Sequence, residues 1–358
     1  MRTLSASDCI TPAIERTKSL LFRPFQWNTF LKLTAVAFFA EIGSGSFSFG
    51  SPGQHSHMPG TSPAMRVTIV ALLVGISLVV LIVGLVLLYI SSRLQLVLVE
   101  VVATGQTTIA PLWRRYSQLT WRWLGLKLLF FLLFGAALLA LFAPFILSMI
   151  KNAPSGGRPP SAAFVSHIVL FVGAFLLGIL ILVTAYILLR DFALPFLAFE
   201  DLPITEALSR LRDVVAADPG QTALYLLLRF LLGLVAAIAA EILIALVLLV
   251  SLIPFAMIGG VLWLTLHHAG SIGKAALISS AIVGGLVLLL WMACVGIGLL
   301  GTVFVFTQSY ALYFLGGRYP LLGNLLEPPQ LPYPAPPQPP PAPNAEGGPP
   351  LPMDPSPA

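Results

Sequence analysis

Five long apolar runs decide what this chain can fold into: residues 67–92, 128–150, 163–189, 222–250 and 276–306. Crossing about 30 Å of hydrocarbon at 1.5 Å per residue takes roughly 20 residues, and each run reaches that length. A backbone inside lipid must satisfy its own N–H and C=O groups, which an α-helix does within one segment. Hydrophobic residues fill 58% of 358 positions and charged residues 9%, against roughly 25% charged in a soluble domain. A soluble globule could not cover such a core with so few polar groups. The expected fold class is therefore all-α, a polytopic transmembrane helix bundle of about six spans, with five to seven as the range. Two weaker runs set that range. Residues 27–43 are short and carry Lys32 and Glu41, and residues 252–267 contain Pro254 and Gly259-Gly260.

Basic residues orient the spans. Connections 1–26, 93–126 and 190–221 hold four, four and three Lys/Arg, and Arg318 follows the last run, while the intervening connections carry Arg66, Lys151 and Arg158. The positive-inside rule places the first set in the cytoplasm. This puts the chain in a cell (cytoplasmic) membrane with both termini cytoplasmic, and it requires 27–43 to cross. No apolar h-region precedes Phe25, so no cleavable signal peptide is expected and the first residues stay in the mature protein. The formal charge of +5 is too modest to point to nucleic acid. Cys9 lies in a polar stretch and Cys294 in an apolar run, a placement that argues against a disulfide or metal site.

Three segments share a pattern: Ile10-Thr-Pro-Ala-Ile-Glu-Arg16, Ile109-Ala-Pro-Leu-Trp-Arg-Arg115 and Ile204-Thr-Glu-Ala-Leu-Ser-Arg210. In each, the Ile and the large apolar residue four positions on share a helix face, with Arg displaced from it. That is the pattern of a short amphipathic helix in the membrane interface. A cation follows each near the start of a run, namely Lys32, Lys127 and Arg229. The first two return spans finish on Tyr89 with Arg93 and on Tyr186 with Arg190. All seven residues read as interface anchors, long side chains reaching for the headgroups. The chain thus divides into a transmembrane domain, 1–326, of three repeat units (about 10–93, 109–190 and 204–318), each an interfacial helix plus a hairpin. The third unit is longer by about the length of 252–274, which reads as an insertion, either a re-entrant loop or an extra interfacial piece. Residues 327–358 hold fifteen of the thirty prolines. Proline removes backbone donors and fixes φ, so a disordered, PPII-leaning tail is expected there. Its PxxP spacings would be the site for any protein partner of the SH3 kind, although a passive tail is favoured.

Polar motifs are few. Gly296-Ile-Gly298-Leu-Leu-Gly301 matches the dinucleotide fingerprint in letters, but it lies inside an apolar run where glycines serve helix packing. His55 with His57, and His267 with His268, lack the carboxylate or cysteine neighbours of a metal site. No catalytic set, metal site or cofactor is expected. Glu241 is the sharpest candidate for an intramembrane functional residue. It lies well inside 222–250, where a charged side chain costs at least about 2.5–3.5 kcal/mol, and it shares a helix face with Gly233 and Ala237.

Trp113-Arg-Arg-Tyr116, Arg190-Asp-Phe-Ala-Leu-Pro195, Ile204-Thr-Glu-Ala207, Asp218-Pro-Gly220 with Leu224-Tyr-Leu-Leu-Leu-Arg229, and Tyr310-Ala-Leu-Tyr-Phe314 together resemble a group of uncharacterised bacterial membrane proteins. That group looks related to the membrane domain attached to some glycerophosphoryl diester phosphodiesterases. The resemblance covers most of 10–318 and implies a six-span bundle in a bacterial cytoplasmic membrane. It brings no catalytic residues, since the barrel domain that hydrolyses phosphodiesters is missing from this sequence. The expected function is that of a non-enzymatic membrane protein organising partners or membrane lipids. The alternative is a small transporter or permease component that uses Glu241.

Overall fold

A computed structural model describes residues 5–42, 63–151, 162–268 and 270–327. The Pro-rich tail from 328 on, the His55 and His57 pair and Arg158 lie outside those residues. Helices α1 (Ile10–Phe22) and α2 (Trp27–Ile42) precede α3 (Pro63–Thr104), and α4 (Ile109–Arg115) leads into α5 (Ser117–Lys151). Helix α6 (Ala162–Leu188) runs through one π-helical turn (Leu189–Ala193) into α7 (Leu194–Glu200). Helix α8 (Ile204–Ala217) precedes the long pair α9 (Pro219–Leu266) and α10 (Gly270–Gly316), and α11 (Pro320–Leu326) follows. The described residues contain no strand. Five stretches are long and apolar enough to cross a membrane: α3, α5, α6 with its continuation, α9 and α10.

The helices overrun the apolar runs that announced them, and this divides the molecule into two layers. In one, α3, α5, α6, α9 and α10 present rows of exposed Leu, Val, Ile and Phe, such as Leu72, Leu132, Leu170, Leu249 and Leu286. Such an extended apolar surface is tenable against hydrocarbon, not against water. In the other, the continuations of the same helices are covered by protein. Residues 94–103, 189–198 and 308–315 are buried without a break, with Trp123 and Tyr225 fully enclosed among them.

Short helices wrap this basal layer. Helix α1 buries Ala13, Thr17 and Leu21, one face at four-residue spacing, and α8 packs Leu208, Leu211 and Val214 on the same core. Helices α1, α4 and α8 begin at Ile10, Ile109 and Ile204, and the arginines of those segments tie them down. Arg16 donates to the carbonyls of Val102 and Ala103 at 3.0 and 2.9 Å, which satisfies carbonyl groups that the end of α3 leaves without helical partners. Arg115 pairs with Glu100 at 3.0 Å and Arg210 with Glu200 at 2.5 Å.

Two of the sequence expectations change here. Residues 252–266 do not form a separate re-entrant loop: they are the last turns of α9, one helix through Pro254 and Gly259-Gly260, with His267 as its C-cap. Proline removes one intrahelical bond, whereas breaking the helix in an apolar setting would orphan several backbone groups at several kcal/mol each. Continuation is the cheaper outcome. Helix α9 is accordingly 48 residues long, about 72 Å, and no seventh span arises. The second change concerns 27–43, expected to cross. Helix α2 has 16 residues, about 24 Å, and its last turn belongs to the basal layer. Ser91 Oγ and Gln95 Nε2 both donate to the Ala40 carbonyl, at 2.7 and 2.9 Å. Helix α2 also crosses α10 at very close range. A Cβ added at Gly301 would lie 2.3 Å from the Thr34 carbonyl oxygen, which is what the last glycine of the Gly296–Gly301 motif permits.

Candidate functional site

The polar centre of the molecule starts from a proline. Pro195 has no N–H to give to the carbonyl of Asp191 four residues back, and the helix widens to a π-helical turn over Leu189–Ala193. Such a turn shifts the helical phase, and π-turns of this kind are frequent at functional sites. Arg190 and Asp191, adjacent in sequence, both end up inside the protein, 5% and 0% exposed.

Buried charges are tolerated only when paired and hydrogen-bonded, and α9 supplies the partners of Asp191. Its Oδ2 accepts from Arg229 Nε at 2.6 Å and from Tyr225 Oη at 2.7 Å, while Oδ1 accepts from Arg229 Nη2 at 3.2 Å. The remaining Arg229 nitrogen, Nη1, donates to the Thr307 carbonyl of α10 at 2.9 Å. One guanidinium thereby joins three helices. Tyr225 is held from its ring faces as well, stacked on Phe314 and Tyr310 at centroid distances of 4.4 and 5.3 Å. Arg190 turns to α2 and α10, forming an ion pair with Glu41 and donating to Gln308 Oε1 at 3.3 Å. Gln95, which bonds the Ala40 carbonyl beside Glu41, also accepts from the Trp123 indole at 2.9 Å.

Above this cluster α6 and α9 stand apart, leaving a cavity of about 750 Å³. Its walls are apolar: Leu182, Val183 and Ile187 from α6, Phe230, Leu234 and Ala237 from α9, Leu300, Val303 and Phe304 from α10. Its floor is Glu41, Tyr186, Arg190 and Arg229. Val183, Phe230 and Leu234 are at the same time exposed, so the cavity opens sideways onto the apolar surface. Lys127 stands behind the floor, against Tyr186, without lining the cavity. It is fully buried, with its ammonium 5.6 Å from the Tyr186 ring centroid. An apolar slot of this size over a few convergent polar groups is the usual form of a small-molecule site.

The seven proposed anchors separate into two groups. Lys32 is exposed on α2. Arg93 is half-buried, donating to Tyr89 Oη at 3.2 Å and to the Trp113 carbonyl, with its guanidinium 4.3 Å above the Trp113 ring. Lys127, Tyr186, Arg190 and Arg229 are buried instead of reaching toward headgroups. Lys127, Tyr186 and Arg190 lie at the edges of apolar runs whose helices continue past them, and Arg229, inside its run, is covered through Asp191 and the Thr307 carbonyl. Glu241 is exposed on α9. It stands one turn beyond Ala237, and the cavity lining does not include it. Glu41, Asp191, Tyr225 and Gln308 were not singled out from the sequence. The available signals were an acid inside an apolar run and an Arg-Asp pair four residues before a proline.

Thiol chemistry has little support. Burial pushes the Cys9 thiol up to about 11, so it stays protonated at neutral pH.

A family model described as a family of unknown function, DUF7544, matches residues 4–325. Searches of curated proteins and of solved structures returned no match.

Proposed function

The chain belongs to that family of unknown function, and from there we propose that it is a non-enzymatic multi-pass membrane protein that holds membrane lipid in its lateral cavity. The observation that carries this reading is the combination of about 750 Å³ of apolar-walled space, a sideways opening and a charged floor. An amphiphile needs those three things together: a slot for its chains, a path from the bilayer and a polar end. A solute carrier would need a polar path, and Glu241, the acid on which such a path would depend, lines none of the cavity.

In this reading the basal layer faces the cytoplasm, in keeping with the basic connections, and the protein sits in a bacterial cytoplasmic membrane. The short helices α1, α4 and α8 pack around the basal core, and α2 runs alongside α10 toward it.

Gly233 supplies the test, because a Cβ built there meets nothing within 4 Å. Gly233→Phe should fill the slot without displacing a helix. Native mass spectrometry of the purified protein is expected to show co-purified lipid on the wild type. Retention should fall about tenfold in the variant, equivalent to about 1.4 kcal/mol. A wild type that carries no lipid, or a variant that carries as much, would overturn the reading. Glu241→Gln should leave retention unchanged.

A further inference from the structure

The floor of the cavity has more hydrogen-bond donors than the protein satisfies. Lys127 Nζ, Tyr186 Oη, Arg190 Nε and Gln308 Nε2 are all buried without a hydrogen-bond partner among the described residues. Each is a donor group, and Tyr186 and Arg190 line the cavity itself. Burying a donor without an acceptor costs about as much as losing a hydrogen bond, so four in one place is far from random placement. The charges lean the same way. Asp191 is fully engaged by Arg229 and Tyr225, and Glu41 is taken by Arg190. Lys127 is the third cation facing two carboxylates, buried, with no carboxylate of its own.

Donor surplus, with Lys127 as a buried basic group that has no ion-pair partner among the described residues, calls for a ligand that is anionic and rich in acceptor oxygens. A phosphate meets both demands, and guanidinium N–H groups suit its oxygens in particular. The walls add the second half of the specification. Phe230, Leu234, Val303 and Phe304 give an apolar slot directly above the donors, of no use to a free ion and suited to acyl chain. We infer that the cavity selects an acidic phospholipid, with its phosphate on the Tyr186 and Arg190 donors that line the cavity, Lys127 and Gln308 standing buried behind them, and its chains along α9 and α10. This inference rests on the lipid-holding reading and adds the class of headgroup.

The full chain in nanodiscs containing equal phosphatidylglycerol and phosphatidylcholine tests it, with retained lipid identified by native mass spectrometry on release into detergent. Wild type is expected to retain phosphatidylglycerol about tenfold over phosphatidylcholine. Lys127→Met keeps the length of the side chain and removes its charge, and should bring the ratio close to one; Gln308→Leu removes an uncharged donor useful to the phosphate of either lipid, and should lower retention of both while the ratio holds. Melting temperatures of both variants separate these losses from lost fold. Equal retention of the two lipids by wild type overturns the headgroup assignment and leaves lipid holding intact. Retention of neither lipid overturns both. Displacement of phosphatidylglycerol by millimolar inorganic phosphate would show an anion site that makes no use of the acyl slot, and would overturn the lipid half of the inference.

Discussion

Asp191→Ala is expected to lower the stability of the purified protein by about 3–5 kcal/mol, the range for removing one partner of a buried ion pair. The size follows from what is left behind. Arg229 would keep its one bond to the Thr307 carbonyl and lose both of its carboxylate contacts, leaving a guanidinium 9% exposed with no counter-charge. Tyr225 would lose its acceptor as well. Simple truncation of a surface pair would cost only about 0–1 kcal/mol, so the measurement discriminates sharply between a buried strut and an interface anchor. Denaturant unfolding in micelles reads it out. The companion expectation has the opposite sign. Asp191→Leu combined with Arg229→Met replaces the pair with apolar groups and should recover most of the loss, since such replacements are often neutral or stabilising. Failure of the double variant to recover would mean that the loss came from the bridge between Arg229 and Thr307, which ties α9 to α10, and not from the unpaired charge.

The same pair shows how far the sequence could be read. The spanning helices were legible because length and apolarity are local properties, and a run of roughly 20 residues suffices to claim a crossing. Where those helices stop was not legible. In α3, the change from exposed apolar residues to buried ones at about residue 91 leaves the helix unbroken to Thr104. A reader of the sequence sees charges appear and infers a membrane boundary. The structure places protein around them instead. Partners were beyond reach for a related reason. Arg190 meets Gln308 across 118 residues and Arg229 meets the Thr307 carbonyl across 78, and no spacing rule connects positions so far apart. Glu241 drew attention because depth within a run was the only measure available. Its place outside the cavity depends on which face of α9 is covered, which is decided by α6 and α10 and not by α9. The π-helical turn was in principle legible from Pro195, yet proline alone does not distinguish a kink from a widened turn.

Gly301→Ala should destabilise the protein by about 1–3 kcal/mol, the range for overpacking a well-filled contact, and Gly301→Val should do so more strongly. The added Cβ would sit 2.3 Å from the Thr34 carbonyl oxygen and 2.6 Å from its Cα. These are backbone atoms, so no side-chain rotation relieves the clash, and α2 must move off α10. Helix propensity acts against this effect, because Ala in a helix interior is favoured over Gly by roughly 0.5–1 kcal/mol. Gly296→Ala measures that opposing contribution alone: a Cβ there meets nothing within 4 Å, and the variant should be neutral or slightly more stable. Gly298→Ala brings its Cβ to 3.5 Å from the Phe30 ring, an ordinary contact, and should behave like Gly296→Ala. The displacement has a consequence at the floor of the cavity. Thr34 and Glu41 are seven residues apart on one face of α2, about two turns, and Glu41 pairs with Arg190. Moving α2 away from α10 draws that carboxylate from Arg190 and leaves a second cation uncompensated beneath the cavity. In nanodiscs, Gly301→Ala should therefore raise the preference for phosphatidylglycerol over phosphatidylcholine even as it lowers stability, whereas Lys127→Met lowers that preference. Opposite shifts in the two variants would tie the α2–α10 contact to the charge balance of the floor. Parallel losses would mean that Gly301 matters to the fold alone.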